Sequence, residues 1–200
     1  MKDDIADIAD IGPNIPRTGN ALTRWIGRII ITSMGWKLVG KLPNEKQIIL
    51  FGGPHTSNWD MVLALSTAMS VGLKFSWMMK KEAFFWPVGY IWKALGGIPI
   101  DRNAKIDVVE QMSNYLAQHE KVWIGLTPEG TRAKVERYKT GYLRIAIGTN
   151  TPLFLVGIDA RQKQVVLDKI WTVTQDIETE NATIKAYIEA TYHGINPENA

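Results

Sequence analysis

Cysteine is absent from the 200 residues, which excludes disulfide bridges, thiolate metal ligands and a cysteine nucleophile. Histidine is scarce, with His55, His119 and His193 far apart and none inside a cluster of further ligands, so no metal centre is expected. No serine stands in a Gly-x-Ser-x-Gly elbow, which removes the usual serine nucleophile. No apolar run approaches the roughly 18 residues that a membrane-spanning helix needs. Residues 1–16 set Asp3, Asp4, Asp7 and Asp10 against the lone base Lys2, the wrong sign for an export signal, so a cytoplasmic location is expected. Internal repeats, low-complexity tracts and linkers are missing as well.

What is present is the composition of a folding chain: 46% hydrophobic and 22% charged residues. Its length suits one domain with a substantial core, here divided as an acidic leader over residues 1–19 and a single domain over 20–200. Residues 17–200 carry 22 basic and 16 acidic side chains, a net of +6 that favours anionic partners. Trp25, Trp36, Trp59, Trp77, Trp86 and Trp92 lie among nine lysines and arginines in residues 21–93, opposed only by Glu45, Asp60 and Glu82. Indole rings settle at a lipid interface while basic side chains meet anionic headgroups, so this mixture points to a membrane surface rather than to nucleic acid. The competing assignment for each tryptophan is the protein core.

Hydrophobic periodicity alternates between strands and helices. Residues 20–34 form an amphipathic helix, 47–51 a buried strand broken by Gly52, Gly53 and Pro54, and 60–72 an apolar helix. A strand over 74–79, a helix over 83–95 interrupted at Pro87, and a short strand over 97–100 follow. Beyond them come a helix over 106–118, strands over 122–126, 153–158 and 165–167, and a helix over 142–147. This alternation predicts an α/β fold, a largely parallel mixed sheet covered by helices, with chemistry in the loops beyond the strands' carboxyl ends.

The first such loop reads Gly53-Pro54-His55-Thr56-Ser57-Asn58-Trp59-Asp60. Asp60 is the only formal charge between residues 47 and 73, and a charge among apolar neighbours requires a partner. His55 is the evident one: a carboxylate on one ring nitrogen fixes the tautomer and leaves the other nitrogen to take a proton from a hydroxyl. Ser57-x-x-Asp60 also fits a capping box, a purely structural use of the same residues. With no serine elbow and no cysteine to complete a triad, the nucleophile is expected from the substrate, which is the arrangement for direct acyl transfer. A second loop, Thr127-Pro128-Glu129-Gly130-Thr131-Arg132, offers a close backbone approach and a guanidinium suited to phosphate, although a plain turn with a surface ion pair explains it equally well. A third, Gly96 to Arg102, delivers another guanidinium to the end of a strand.

Taken in this order the blocks resemble the glycerophospholipid acyltransferase family, of the lysophosphatidate (1-acylglycerol-3-phosphate) acyltransferase type. The H-x-x-x-x-D block is similar to His55 to Asp60, the glycine-to-arginine block to Gly97 to Arg102, E-G-T-R to Glu129 to Arg132 and the proline block to Pro152, over residues 48–158. Lys139-x-Gly141 resembles the K-x-G that follows E-G-T-R. Pro54, Thr127 and Ala133 depart from the common residues at their positions.

The resemblance implies a glycerol-3-phosphate acyltransferase-like fold, with His55 as base, Asp60 as its orienter and Ser57 and Lys139 in support. It assigns Arg102, Glu129, Gly130, Thr131 and Arg132 to the acceptor and its phosphate. It implies no metal or prosthetic group, acyl-coenzyme A or acyl carrier protein as donor, a lysophospholipid or glycerol phosphate as acceptor, and a peripheral or monotopic place at the inner face of the membrane. Two other classes remain compatible with the residues: a thioesterase-like hydrolase using the same pair, and a non-catalytic lipid-binding module.

Overall fold

A computed structural model describes residues 11–101 and 106–199. Its centre is a seven-stranded sheet in the order β1-β7-β6-β2-β5-β3-β4, parallel at every pairing except β6 with β7. The strands are β1 (Lys37–Gly40), β2 (Gln47–Gly53), β3 (Phe75–Lys80), β4 (Gly97–Ile100), β5 (Val122–Leu126), β6 (Leu153–Asp159) and β7 (Gln164–Trp171). The helices are α1 (Ala21–Ser33), α2 (Trp59–Val71), α3 (Val88–Ala94), α4 (Val108–Ala117), α5 (Gly141–Thr149) and α6 (Ile177–Thr191).

Strand alternation divides the core into two layers. Ile49, Phe51 and Ile124 point toward α4, α5 and α6, where Met112, Leu116, Leu143, Ile184 and Ile188 meet them. Ile48, Trp123, Phe154 and Leu38 point the other way, to Leu63, Ala68 and Val71 of α2 and Ile31 of α1. Both faces of β2 and β5 are therefore covered, which is why these strands read as unbroken apolar runs.

The helices follow the periodicity with two differences. The segment after β3 forms a 3-10 turn at Lys81–Ala83 and starts its α-helix only at Val88, because Pro87 is tolerated at a helix start and not inside one. In α1 the apolar stripe does not face the core. Gly27 and Ile31 are its buried residues, while Leu22, Trp25 and Ile29 are exposed. Gly27 lets α1 approach α2 so closely that a Cβ there would lie 2.6 Å from the Ser70 amide nitrogen, and this contact decides which way the stripe turns.

Register places the chemistry. Phe51 pairs with Leu126 and Gly53 with Gly157, so β2, β5 and β6 end side by side. The loops that follow β2 and β5 consequently emerge next to each other at the carboxyl edge of the sheet, although they are some 70 residues apart in sequence. Among the described residues, no helix is long and apolar enough to cross a membrane.

Candidate active site

Proline has no amide hydrogen, so at Pro54 the β2 ladder stops and the chain turns toward α2. Asp60 lies in the first turn of that helix, where a negative charge is favoured by the exposed amides. Its buried carboxylate gathers three donors on Oδ2: His55 Nδ1 at 2.9 Å, the Thr56 amide at 2.7 Å and the Ser57 amide at 2.8 Å. One oxygen thus gathers the histidine and the loop ahead of α2, while the helix N-cap, Asn58, makes no side-chain capping bond. Acceptance by Asp60 requires the proton on Nδ1, which leaves Nε2 as the lone-pair nitrogen. The His55 side chain is 18% exposed, enough to meet a ligand while its partner at 4% is sheltered from water.

The second loop reaches the first through Glu129. Oε1 of this buried residue accepts the His55 backbone N–H at 3.1 Å. Burial is the main influence on its carboxyl group and pushes the pKa above the usual glutamate range, against the pull of the amides it accepts. Oε2 has no hydrogen-bond partner among the described residues. The next residue, Gly130, adopts φ +64°, and a Cβ there would lie 2.6 Å from Lys139 Nζ. Glycine is thus suited by backbone angle and by the lysine folded over it.

His55, Asp60, Gly130, Thr131, Arg132 and Lys139 all border one cleft of about 790 Å³ at the carboxyl edge of the sheet. Its remaining walls are mostly apolar: Leu50, Met61, Ala64, Phe75 and Trp77 on the α2 side, and Met78, Ile100, Val109, Tyr142 and Ile145 on the other. Gly52 and Gly125 also line the cleft, contributing no side-chain bulk. A polar mouth carrying a base and cations over an apolar interior suits an amphiphile whose reactive group stays at the opening.

The sequence-based assignments are largely brought together. Ser57 contributes its amide to Asp60, while its hydroxyl accepts the Trp59 N–H at 3.2 Å. Glu129 stands behind the His55 loop, accepting the His55 N–H, and is not among the residues bordering the cleft. Arg102 lies outside the described residues; β4, which leads to it, ends with Ile100 in the cleft wall. His119 stacks on Tyr115 and bonds its carbonyl at 2.8 Å, a packing role. The sequence reading missed Thr56, a buried residue of the first loop, because its hydroxyl and carbonyl accept from the C-terminal segment, about 140 positions away.

The class defined so far is an α/β protein whose largely parallel sheet carries a histidine–aspartate pair and cationic side chains at the mouth of an apolar cleft. The family model described as Acyltransferase matches residues 38–159, which covers the pair, the Glu129 loop and five of the seven strands in full, and the chain belongs to that acyltransferase family. No curated protein matches the chain. Among solved structures it is similar to the 1-acyl-sn-glycerophosphate (LPA) acyltransferase PlsC from Thermotoga maritima, with a TM-score of 0.58 and 16% identity over 86% of this chain and 80% of that one. At that identity the likeness establishes the shared fold.

Proposed function

We propose that this acyltransferase moves a fatty acyl group from a coenzyme A or acyl-carrier-protein thioester directly onto the hydroxyl of a glycerol-phosphate-type lysolipid at a membrane surface. The observation that carries the proposal is the His55–Asp60 pair at 2.9 Å, set at the polar mouth of an apolar cleft bordered by Arg132 and Lys139. Nε2 takes the proton of the acceptor hydroxyl as its oxygen attacks the thioester carbonyl. Asp60 stabilises the imidazolium so formed, and collapse of the tetrahedral adduct expels the thiolate, which recovers the proton. No acyl-enzyme forms, in keeping with the absence of a serine elbow or cysteine. Arg132 and Lys139 hold the acceptor's phosphate, the guanidinium by a forked contact; Arg102 is proposed as a further contact.

Two exposed apolar surfaces support a peripheral place on the membrane. One is the α1 ridge of Leu22, Trp25 and Ile29. The other spans Phe85, Trp86, Tyr90, Ile91 and Leu95, flanked by Lys80, Lys81 and Lys93. We place both against the inner leaflet, with basic side chains toward anionic headgroups.

Purified protein supplied with acyl thioester should release thiol rapidly only when lysophosphatidate or glycerol phosphate is present, with the acyl chain recovered as ester. Arg132→Ala should raise the Michaelis constant for a phosphorylated acceptor about tenfold, the loss of one charge-assisted contact. Free fatty acid formed at the same rate without acceptor would show a hydrolase instead.

A further inference from the structure

Behind the cleft, the segment that follows α6 lies against the loop carrying His55. Tyr192 rests its ring on β6 at Gly157, where a Cβ would be 2.3 Å from the ring. The His193 carbonyl accepts the Ala160 N–H at 2.7 Å, and its Nδ1 pairs with the buried Asp159 at 3.1 Å. This second histidine–aspartate pair fastens the segment to the end of β6, the strand beside β2. Gly194 then passes so close to Thr56 that a Cβ there would lie 2.4 Å from Thr56 Cγ2.

Two hydrogen bonds complete the contact. The Asn196 amide donates to Thr56 Oγ1 at 3.1 Å, and Asn199 Nδ2 donates to the Thr56 carbonyl at 3.2 Å. That carbonyl belongs to the same rigid peptide plane as the Ser57 N–H, which points the opposite way and donates to Asp60 Oδ2 at 2.8 Å. The adjoining plane supplies the Thr56 N–H to the same oxygen at 2.7 Å. Asn199, the Thr56–Ser57 peptide, Asp60 and His55 therefore form one continuous line of hydrogen bonds, in which each polarises the next.

We infer that Thr56 and Asn199 are positioning residues for the His55–Asp60 pair. Segment 192–199 holds the Thr56 hydroxyl and the Thr56–Ser57 peptide plane, and so the residue whose N–H, with that of Ser57, aims the Asp60 carboxylate at Nδ1. Neither residue borders the cleft, so their effect is on the base and not on substrate affinity. The inference rests on the reading of His55 and Asp60 as the catalytic pair.

Thr56→Val, Thr56→Ser, Asn199→Ala and His55→Ala are compared in the full chain for kcat, both Michaelis constants, the acidic limb of the kcat/KM profile and Tm. Thr56→Val should lower kcat about tenfold and Asn199→Ala about threefold, in line with small misplacements of a catalytic group, while the Michaelis constants stay within about twofold. Thr56→Ser, which keeps the acceptor oxygen, should restore kcat. The acidic limb should move to lower pH in Thr56→Val and Asn199→Ala, because a misaimed carboxylate stabilises the imidazolium less.

A lower Tm with parental kcat and an unmoved acidic limb would show a merely structural contact and overturn the inference. Should Thr56→Val not fold, Asn199→Ala alone decides, since it removes a single amide group. If His55→Ala is inactive while the Thr56 and Asn199 variants behave as parent, only the positioning role fails. If His55→Ala turns over normally, the catalytic reading itself fails, and the positioning inference falls with it.

Discussion

Asp60→Asn removes one charge and keeps nearly the same shape, so its effect can be worked from the contacts. Oδ2 accepts from an imidazole and two backbone amides. An amide oxygen in that place can still accept, but a neutral acceptor stabilises a developing imidazolium far less than a carboxylate. If the amide nitrogen faces the loop instead, it confronts three donors with a fourth. Loss of an ionised acceptor worth about 2–3 kcal/mol for the charged bond, together with population of the wrong tautomer, amounts to about 3–5 kcal/mol in the transition state. That is a fall in kcat of about two to four orders of magnitude. Stability should change much less, because removing a buried charge recovers part of what the weaker bonds lose. Thiol release from an acyl thioester, followed continuously with a lysophosphatidate acceptor, measures the first quantity, and urea unfolding the second. A folded Asp60→Asn protein with kcat within threefold of the parent would refute the reasoning.

Other perturbations follow from the same geometry. Glu129→Gln keeps an acceptor for the His55 amide but cannot ionise. The wild-type carboxyl has a folded pKa above its unfolded value, so ionisation penalises the fold, beginning at the ordinary glutamate range and complete above the raised value. The stability of the variant relative to the parent should therefore rise with pH across that window, and urea titrations showing a flat or falling difference would contradict it. Gly130→Ala forces a side chain into φ +64° beside Lys139, and about 1 kcal/mol of destabilisation is expected in chemical denaturation; no loss would show that the turn relaxes freely. Replacing Trp25 and Trp86 together by alanine should weaken sedimentation with anionic vesicles at least tenfold while the fold is kept, and unchanged binding would remove both surfaces from the membrane account.

The long apolar segments of the sheet could be read because burial on both faces leaves no polar alternation to confuse them, as in residues 122–126. Two elements could not. In β1, Lys37–Gly40, only Leu38 is buried and the strand ends on a glycine, so no apolar run marks it. In α6 the buried face is Asn181, Ile184 and Ile188, and a buried asparagine among threonines obscures the stripe. Asn181 is inside because its amide donates to the Tyr138 carbonyl and its oxygen accepts the Tyr142 hydroxyl, bonds made only after folding.

The same distinction governs the site. The five-residue spacing of His55 and Asp60 made their pairing legible, since one turn of chain brings them together. Glu129 was legible as part of a motif, but its bond to the His55 amide depends on strand register, which local pattern does not encode. The tryptophans divided by environment: Trp36, Trp77 and Trp123 are buried, whereas Trp25, Trp59 and Trp86 are exposed. For α1 the outward turn of the stripe was set by the close approach at Gly27, a residue without a hydrophobic signal of its own.

His55→Ala, assayed for acyl transfer from a thioester to lysophosphatidate on anionic vesicles, addresses the base most directly. The expected result is a loss of about three orders of magnitude in kcat with circular dichroism and thermal midpoint retained. A folded variant that keeps more than about a tenth of parental turnover would contradict general-base catalysis by this imidazole.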